Sequence, residues 1–443
     1  MCFKKIKLQP QKKILIISYY WPPAGGPGVQ RWLKFVKYLP EFDVEPIVYI
    51  PENPSYPLLD EKLLSDVSDK TVILKNKIFE PYALASFLSK NKTKKLGAGI
   101  ITQKKKQSFI EKAMLWIRGN VFIPDARVFW VKPSVKYLKK YIQENNIETI
   151  ITSGPPHSLH LIGLDLKKHL NINWIADFRD PWTTIGYHKE LKLSKWASAK
   201  HKALEKEVLT TCDTILVTSP TTKSEFERIT NQPIEVITNG YDVEKIEKKS
   251  LDEAFTLAHI GSFLSERNPQ ILWESLSELI QENEAFANHF KLKLIGAVSK
   301  EVIQSISDFN LDSFVQNLGY VSHEEALIHQ RSSQVLLLIE IDSDDTKCII
   351  PGKLFEYMVS ERPILAIGPK NSDFENIIKQ TNTGVFYQYK EKNELKSQIL
   401  SYFNQYLDKN LKVNAVGLQQ YSRKSLTKQL AKTISKFNSK TQV

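Results

Sequence analysis

Short apolar runs alternating with amphipathic stretches recur along the chain, and this constrains its fold more than any other feature. Runs such as Ile14 to Ile17, Gln334 to Ile339 and Ile364 to Ile367 are too short for ordinary helices. They are apolar almost throughout, the pattern of strands covered on both faces of a parallel sheet. Parallel neighbours cannot be joined by tight turns, so the amphipathic stretches read as helical crossovers. Pro46 to Ile50, Thr71 to Leu74, Ile150 to Thr152, Asn173 to Ala176, Thr214 to Thr218 and Ile234 to Ile237 complete a first series. Phe255 to Phe263, Lys291 to Ile295, Phe314 to Asn317 and Thr383 to Phe386 complete a second. Between the series lies EKIEKKSLDEA, polar and aperiodic, which reads as a linker. A chain of 443 residues is too long for one ordinary core. The expectation is two doubly wound α/β domains, residues 1–240 and 241–415, with a basic insertion at about 90–140. A last charged helix within 416–443 has no strand after it and is expected to pack back on the first domain.

Charge is unevenly placed. Residues 1–215 hold 35 Lys and Arg against 20 Asp and Glu, while the remainder holds 26 against 29. Lys90 to Lys140 alone carries 14 basic and 2 acidic residues, interleaved with Trp116, Phe122, Phe129 and Trp130. Such a segment fits a membrane-interface surface, a solvated insertion or a nucleic-acid surface; no nucleic-acid motif accompanies it, and no nucleic-acid partner is expected. Cys2, Cys212 and Cys348 are too far apart for a disulfide framework or a metal signature. No apolar run approaches the ~18 residues needed to span a bilayer, and no secretion signal is read at the start. The expected setting is the cytoplasm, with peripheral contact at the inner face of an anionic membrane.

Three stretches carry candidate chemistry. Cys348 to Pro363, CIIPGKLFEYMVSERP, places a short helix between two buried runs. Pro351 and Gly352 suit its start, Lys353 and Glu356 share one face, and Leu354, Phe355, Met358 and Val359 form the core stripe. One cation and one carboxylate thus meet beyond the carboxyl end of a strand, where open α/β sheets bind ligands and free N–H groups favour phosphate. A surface Lys353–Glu356 pair worth a few tenths of a kcal/mol fits the same spacing. In YYWPPAGGPGVQR, a strand runs through a glycine loop into a helix; Gly25, Gly26 and Gly28 permit close backbone approach. The dinucleotide spacing G-x-G-x-x-G is absent, and a ligand-free Pro/Gly turn fits equally. In DFRDPW, Asp177 and Asp180 bracket Arg179, a cluster able to hold a hydroxyl or a charged substrate group; an arginine bridge that merely pins the loop is the structural alternative. His157 and His160 lack a third metal ligand and are expected to be exposed or hydrogen-bonded.

Taken in order, YYWPPAGGPGVQR, IPDARVFW, TSGPPHS, ADFRDPW, ITNGYD, GSFLSERNP and IPGKLFEYMVSERPIL resemble the family-4 glycosyltransferases of the GT-B fold, over about Lys13 to Tyr406. The DFRDPW and KLFEY stretches are similar to signatures of one subgroup. The resemblance implies two Rossmann-like domains facing a central cleft. It also implies retaining transfer of a sugar, of the hexosyl type, from a nucleotide-sugar donor to a glycan or lipid-linked acceptor in polysaccharide or glycoconjugate biosynthesis. No bound metal is implied, and no cofactor beyond the nucleotide sugar itself. Glu356 matches the second glutamate of the E-x7-E motif, which binds the donor ribose; the first would fall at Cys348 and is missing, leaving Lys353, Asp344 and Asp345 as candidates to replace it. Arg267 falls where the family places a cation for the donor diphosphate, and Gly25 and Gly26 match the loop that closes over donor and acceptor. Lys353 and the Gly352 helix end join Arg267 around the leaving group. Arg179 and Asp180 stand where relatives carry histidine and aspartate, so no histidine role transfers; Asp177, Arg179 and Asp180 are the expected catalytic group. A nucleotide-sugar 2-epimerase has the same architecture, and a non-catalytic basic membrane adaptor would depend on residues 90–140 alone.

Overall fold

The computed structural model describes residues 12–81, 109–186, 188, 191–242 and 250–437. Described residues up to Thr238, together with those from Arg423 onward, form one compact unit, and Asn239–Ser422 form the other. Residues 243–249 lie outside the described residues, and with them most of the polar stretch read as a linker.

The first unit is built on a parallel sheet of β1 (Lys12–Ile17), β2 (Val44–Pro51), β3 (Val72–Asn76), β4 (Thr149–Gly154), β5 (Asn173–Phe178), β6 (Thr214–Val217) and β7 (Ile234–Val236). Its strand order is β3-β2-β1-β4-β5-β6-β7. Alternate residues of β1 enter two different cores: Leu15 and Ile17 join one layer of side chains, Ile14 and Ile16 the other. This is why the run is apolar without alternation. Each such fully buried side chain contributes roughly 1.5–3 kcal/mol of burial. The helix Pro27–Tyr38 lies on the second face through Trp32, Phe35 and Val36. The closing helix, Arg423–Ser435, adds Leu426, Leu430 and Ile434 to that same layer, so the end of the chain completes the first unit's core. It begins later than the sequence pattern suggests, because Gly417 is left-handed and Leu418–Tyr421 forms a separate 3₁₀ turn.

The second unit contains β8 (Phe255–Ile260), β9 (Phe290–Ile295), β10 (Val315–Gly319), β11 (Val335–Ile339), β12 (Ile364–Ile367) and β13 (Gly384–Tyr387). All are parallel, in the order β10-β9-β8-β11-β12-β13. Here too β11 splits its side chains, Val335, Leu337 and Ile339 to one face and Leu336 and Leu338 to the other. β8 stops at Ile260 rather than running to Phe263, since Gly261 at φ +111° turns the chain out of the sheet. Gly296 at φ +117° lies so close that a Cβ there would sit 2.5 Å from the Gly261 carbonyl oxygen, so neither position readily takes a side chain.

Residues 82–108, which take in the start of the basic insertion with Lys104, Lys105 and Lys106, lie outside the described residues. The rest forms the helix Phe109–Asn120, a 3₁₀ turn at Ala126–Trp130 and the helix Val131–Glu144. One expected interface aromatic proves to be core: Trp130 is 1% exposed and stacks on Tyr49 with 4.9 Å between ring centres.

Candidate active site

In doubly wound sheets ligands bind beyond the carboxyl ends of strands where the strand order reverses. Each unit has one such point, between β1 and β4 in the first and between β8 and β11 in the second.

At the second unit's reversal, the turn after β8 brings Arg267 to Glu340, the residue that follows β11. Arg267 Nε and Nη2 each donate a 3.0 Å hydrogen bond to a different oxygen of that carboxylate, and the Ile341 amide adds a third at 2.9 Å. The glutamate side chain is fully buried while the guanidinium keeps some exposure. Lys353, at the start of the six-residue helix Lys353–Met358, turns towards β8. Its Nζ lies 2.9 Å from His259 Nε2 and donates to the Ile260 carbonyl at 3.2 Å. With Lys353 charged, the ring nitrogen accepts, which puts the imidazole proton on Nδ1. Desolvation, with Arg267 as a second cation nearby, lowers the Lys353 pKa to about 7, and Glu340 only partly opposes this. One turn on, the Tyr357 hydroxyl accepts from the Ile260 amide at 3.0 Å. Lys353 and Tyr357, four apart, therefore hold the helix to the end of β8, while Leu354, Phe355 and Met358 fill the core beneath.

Glu356 and Lys353 do not pair. Glu356 accepts a 3.0 Å hydrogen bond from the Gln330 side-chain amide and has His323 Nε2 at 3.9 Å. Its side chain keeps 26% of its exposure, so it remains reachable from solvent. Gly352 is the exposed N-cap of the helix, with no side-chain capping bond. Cys348 is buried, with its Sγ 3.7 Å from the Asp345 carbonyl oxygen. Asp344 meets Lys347 at 2.6 Å.

In the first unit the DFRDPW stretch divides its charges. Asp177 is fully buried, and its carboxylate receives Arg31 Nη2 at 2.9 Å, Trp32 Nε1 at 2.8 Å and Ser153 Oγ at 2.8 Å. These donors, Arg31 foremost, hold its pKa below the usual carboxylate range despite burial. Arg179 turns the other way. Its guanidinium donates to the Pro155 carbonyl, lies over the Tyr20 ring and presses on the first turn of the Pro27–Tyr38 helix, where a Cβ on Gly28 would sit 2.2 Å from Nη1. Among the described residues no carboxylate forms an ion pair with it, and its Nε is buried without a partner. Asp180 also makes no side-chain hydrogen bond among the described residues, and burial pushes its pKa up against the pull of Arg179. Gly25 donates its amide to the Leu58 carbonyl, and Gly26, at φ +96°, gives the helix an entry without a side-chain cap.

The paired histidines are neither exposed nor equally satisfied. His160 Nδ1 lies 2.9 Å from Thr152 Oγ1, whereas His157, stacked flat on Trp182 at 4.9 Å, has both ring nitrogens buried without a hydrogen bond. Desolvation holds both histidines below their ordinary pKa. Sequence reasoning missed Glu340, His259 and Tyr357. The first had one signal, an acid placed directly after the all-apolar run VLLLI.

Residues 99–245 match the model of Glycosyltransferase Family 4. No curated protein sequence matches the chain. Among solved structures, sucrose-phosphate synthase from Thermosynechococcus elongatus superposes with a TM-score of 0.58 at 13% identity, covering 97% of this chain and 98% of that one. The lipopolysaccharide outer core galactosyltransferase WaaB gives 0.55 at 12%, covering 96% and 99%. A Listeria monocytogenes protein assigned as a UDP-N-acetylglucosamine 2-epimerase gives 0.55 at 11%, covering 97% of each chain. These likenesses are of fold: the chain has the GT-B architecture of two Rossmann-like parallel-sheet domains. The family match supports sugar transfer as the class of chemistry.

Proposed function

We propose that the chain is a retaining, metal-independent glycosyltransferase that moves a hexosyl group from a nucleotide-sugar donor to a lipid-linked glycan, at the inner face of the cytoplasmic membrane, in surface polysaccharide or glycoconjugate biosynthesis. One observation carries the reading: two cations, Arg267 and Lys353, stand at the reversal point of the second unit around a single buried acid, Glu340. Breaking the bond between sugar and diphosphate leaves negative charge on the leaving group, and cations held in place beforehand stabilise it without reorganising. Lys353 joins this group as an ammonium, because an arriving diphosphate restores the proton that desolvation makes labile. Glu356, its carboxylate partly exposed and oriented by Gln330, accepts from the ribose hydroxyls, and Gly352 lets the donor approach the helix end.

In the first unit, Arg179 and Asp180 orient the acceptor or the transferred sugar, Gly25 and Gly26 allow close approach of the chain, and Asp177 supports Arg31 and Trp32 from within the core. The acceptor hydroxyl forms the new bond to the anomeric carbon as the old bond to the diphosphate breaks. Its proton leaves with the diphosphate oxygen. A second reading, nucleotide-sugar epimerisation, is favoured by the fold likeness to the Listeria protein. An epimerase would not release nucleotide in proportion to an added acceptor.

A panel of UDP-, GDP- and dTDP-sugars tests the donor reading by thermal stabilisation, since a ligand bound only to the folded state raises its melting temperature. One nucleotide series is expected to stabilise the protein, with the effect lost in Glu356→Ala. No stabilisation by any of them returns the chain to a non-catalytic role.

A further inference from the structure

Scattered exposed apolar residues are ordinary on protein surfaces. In the first unit, however, three exposed or half-exposed phenylalanines touch one another. Phe129, 46% exposed, meets Phe79, 55% exposed, edge to face at 5.7 Å, and Phe122 at 5.8 Å. Val121, the next residue in sequence to Phe122, is 59% exposed, and its amide donates to Ile117 one turn earlier. Trp116, which precedes Ile117 in sequence, is 50% exposed about one turn before the end of the helix Phe109–Asn120. Most other tryptophans of the chain are buried to within a few per cent. A group of exposed aromatics of this kind marks an interaction surface rather than chance exposure.

Its electrostatic setting identifies the partner. The helix Val131–Glu144 starts just after Phe129 and exposes Lys132, Lys136 and Lys140 at four-residue spacing, the last also meeting Glu144 at 3.7 Å. The chain from residue 82 to 108, which joins the Phe79 side of this face to the Trp116 helix, contains seven lysines and no acidic residue. Large exposed aromatics in a lysine-rich stretch of sequence are disfavoured at the centre of a protein–protein interface, where Lys is depleted. They suit a lipid surface, where aromatics enter the headgroup layer and lysines meet anionic lipid.

We propose that Phe79, Trp116, Val121 and Phe129, flanked by Lys132 and Lys136, form a docking surface for an anionic lipid bilayer. This deepens and rests on the proposed function, for which the surface would bring the first unit to a lipid-borne acceptor.

Flotation of the full chain with phosphatidylcholine vesicles, with and without phosphatidylglycerol, tests the surface without donor or turnover. Thermal stabilisation by nucleotide sugars is scored separately, so failure of the transferase reading is distinguishable from failure of this one. Binding is expected only with phosphatidylglycerol and should weaken as salt rises. It should fall about tenfold or more both in Trp116→Ser with Phe129→Ser and in Lys132→Glu with Lys136→Glu. These side chains are at the surface, and an unchanged melting temperature verifies that each variant is folded. Equal recovery in the unbound fraction with both lipids overturns the proposal, and so does binding that neither pair of substitutions alters. A dimer in lipid-free solution, dissolved by the aromatic pair and accompanied by no vesicle binding, overturns it in favour of a second copy of the chain.

Discussion

Arg267 holds Glu340 through two parallel 3.0 Å hydrogen bonds that join the turn after β8 to the end of β11. The carboxylate is buried, whereas the arginine reaches solvent. Such a fork fixes both orientation and distance, which lysine cannot reproduce. Glu340→Ala is expected to cost about 2–4 kcal/mol in urea unfolding, because a partly buried guanidinium loses its partner. Arg267→Lys should fold but bind donor at least about tenfold more weakly in calorimetry, by loss of the bidentate geometry. Donor affinity equal to wild type in Arg267→Lys would leave the pair a purely structural clasp.

Lys353 is expected to make donor binding sensitive to pH near neutrality. Its pKa is lowered to about 7 in the free protein, so the cation is present below that value and is lost as pH rises above it. A bound diphosphate favours the charged form. Affinity should therefore decline from pH 6 to pH 9, and at pH 8 binding should take up a proton, seen as a dependence of calorimetric heat on buffer ionisation enthalpy. Lys353→Arg should flatten the profile. Stability of the free protein should move the opposite way. Between pH 7 and the unfolded lysine value near 10.4 the unfolded chain binds more protons, so the Lys353 contribution makes unfolding harder as pH rises. A donor affinity independent of pH would show that Lys353 does not face the diphosphate.

Glu356 is separable from the fold in a way that Glu340 is not. Glu356→Ala should weaken donor binding by at least about 1.5 kcal/mol, the worth of a charged hydrogen bond. Melting should fall only modestly, through the orphaned Gln330 amide. Comparison of nucleotide with sugar 1-phosphate tests the ribose assignment, since only the former should lose affinity.

Asp177 and Asp180, three residues apart, should fail differently. Asp177→Ala leaves Arg31 charged and buried and is expected to cost about 3–5 kcal/mol in stability. Asp180→Asn should change the melting temperature little and lower turnover at least about tenfold. Because burial raises the Asp180 pKa, wild-type turnover should fall as pH drops through that raised value. Full turnover in Asp180→Asn would make the loop structural.

Gly28 offers a test of Arg179 that does not remove the arginine. A methyl at position 28 collides with Nη1, the flexible end of the side chain, so Arg179 can swing away at little cost to folding. Gly28→Ala should keep its melting temperature and lose turnover in parallel with Arg179→Lys. Retained turnover in both would separate the arginine from the reaction.

The two series of strands, their parallel character and their helical crossovers were legible in the residue pattern alone. A strand buried on both faces must be apolar whatever its neighbours are, so its signal is local. The glycine loop around Gly26 was legible as a local signal too, whereas Gly261 was read inside the strand Phe255 to Phe263, which its left-handed backbone in fact ends. Which carboxyl ends are adjacent was not legible there, because strand order and register couple residues that share no sequence window. Arg267 finds Glu340 across 73 residues and Lys353 finds His259 across 94. The spacing that set Lys353 beside Glu356 was right for a helix face, yet the lysine was drawn to buried acceptors at the end of β8 and the glutamate to Gln330. Likewise DFRDPW displayed its charges but not their directions. Asp177 turned inward because Arg31, Trp32 and Ser153 supply donors there, and that meeting exists only once the Pro27–Tyr38 helix has packed against the sheet.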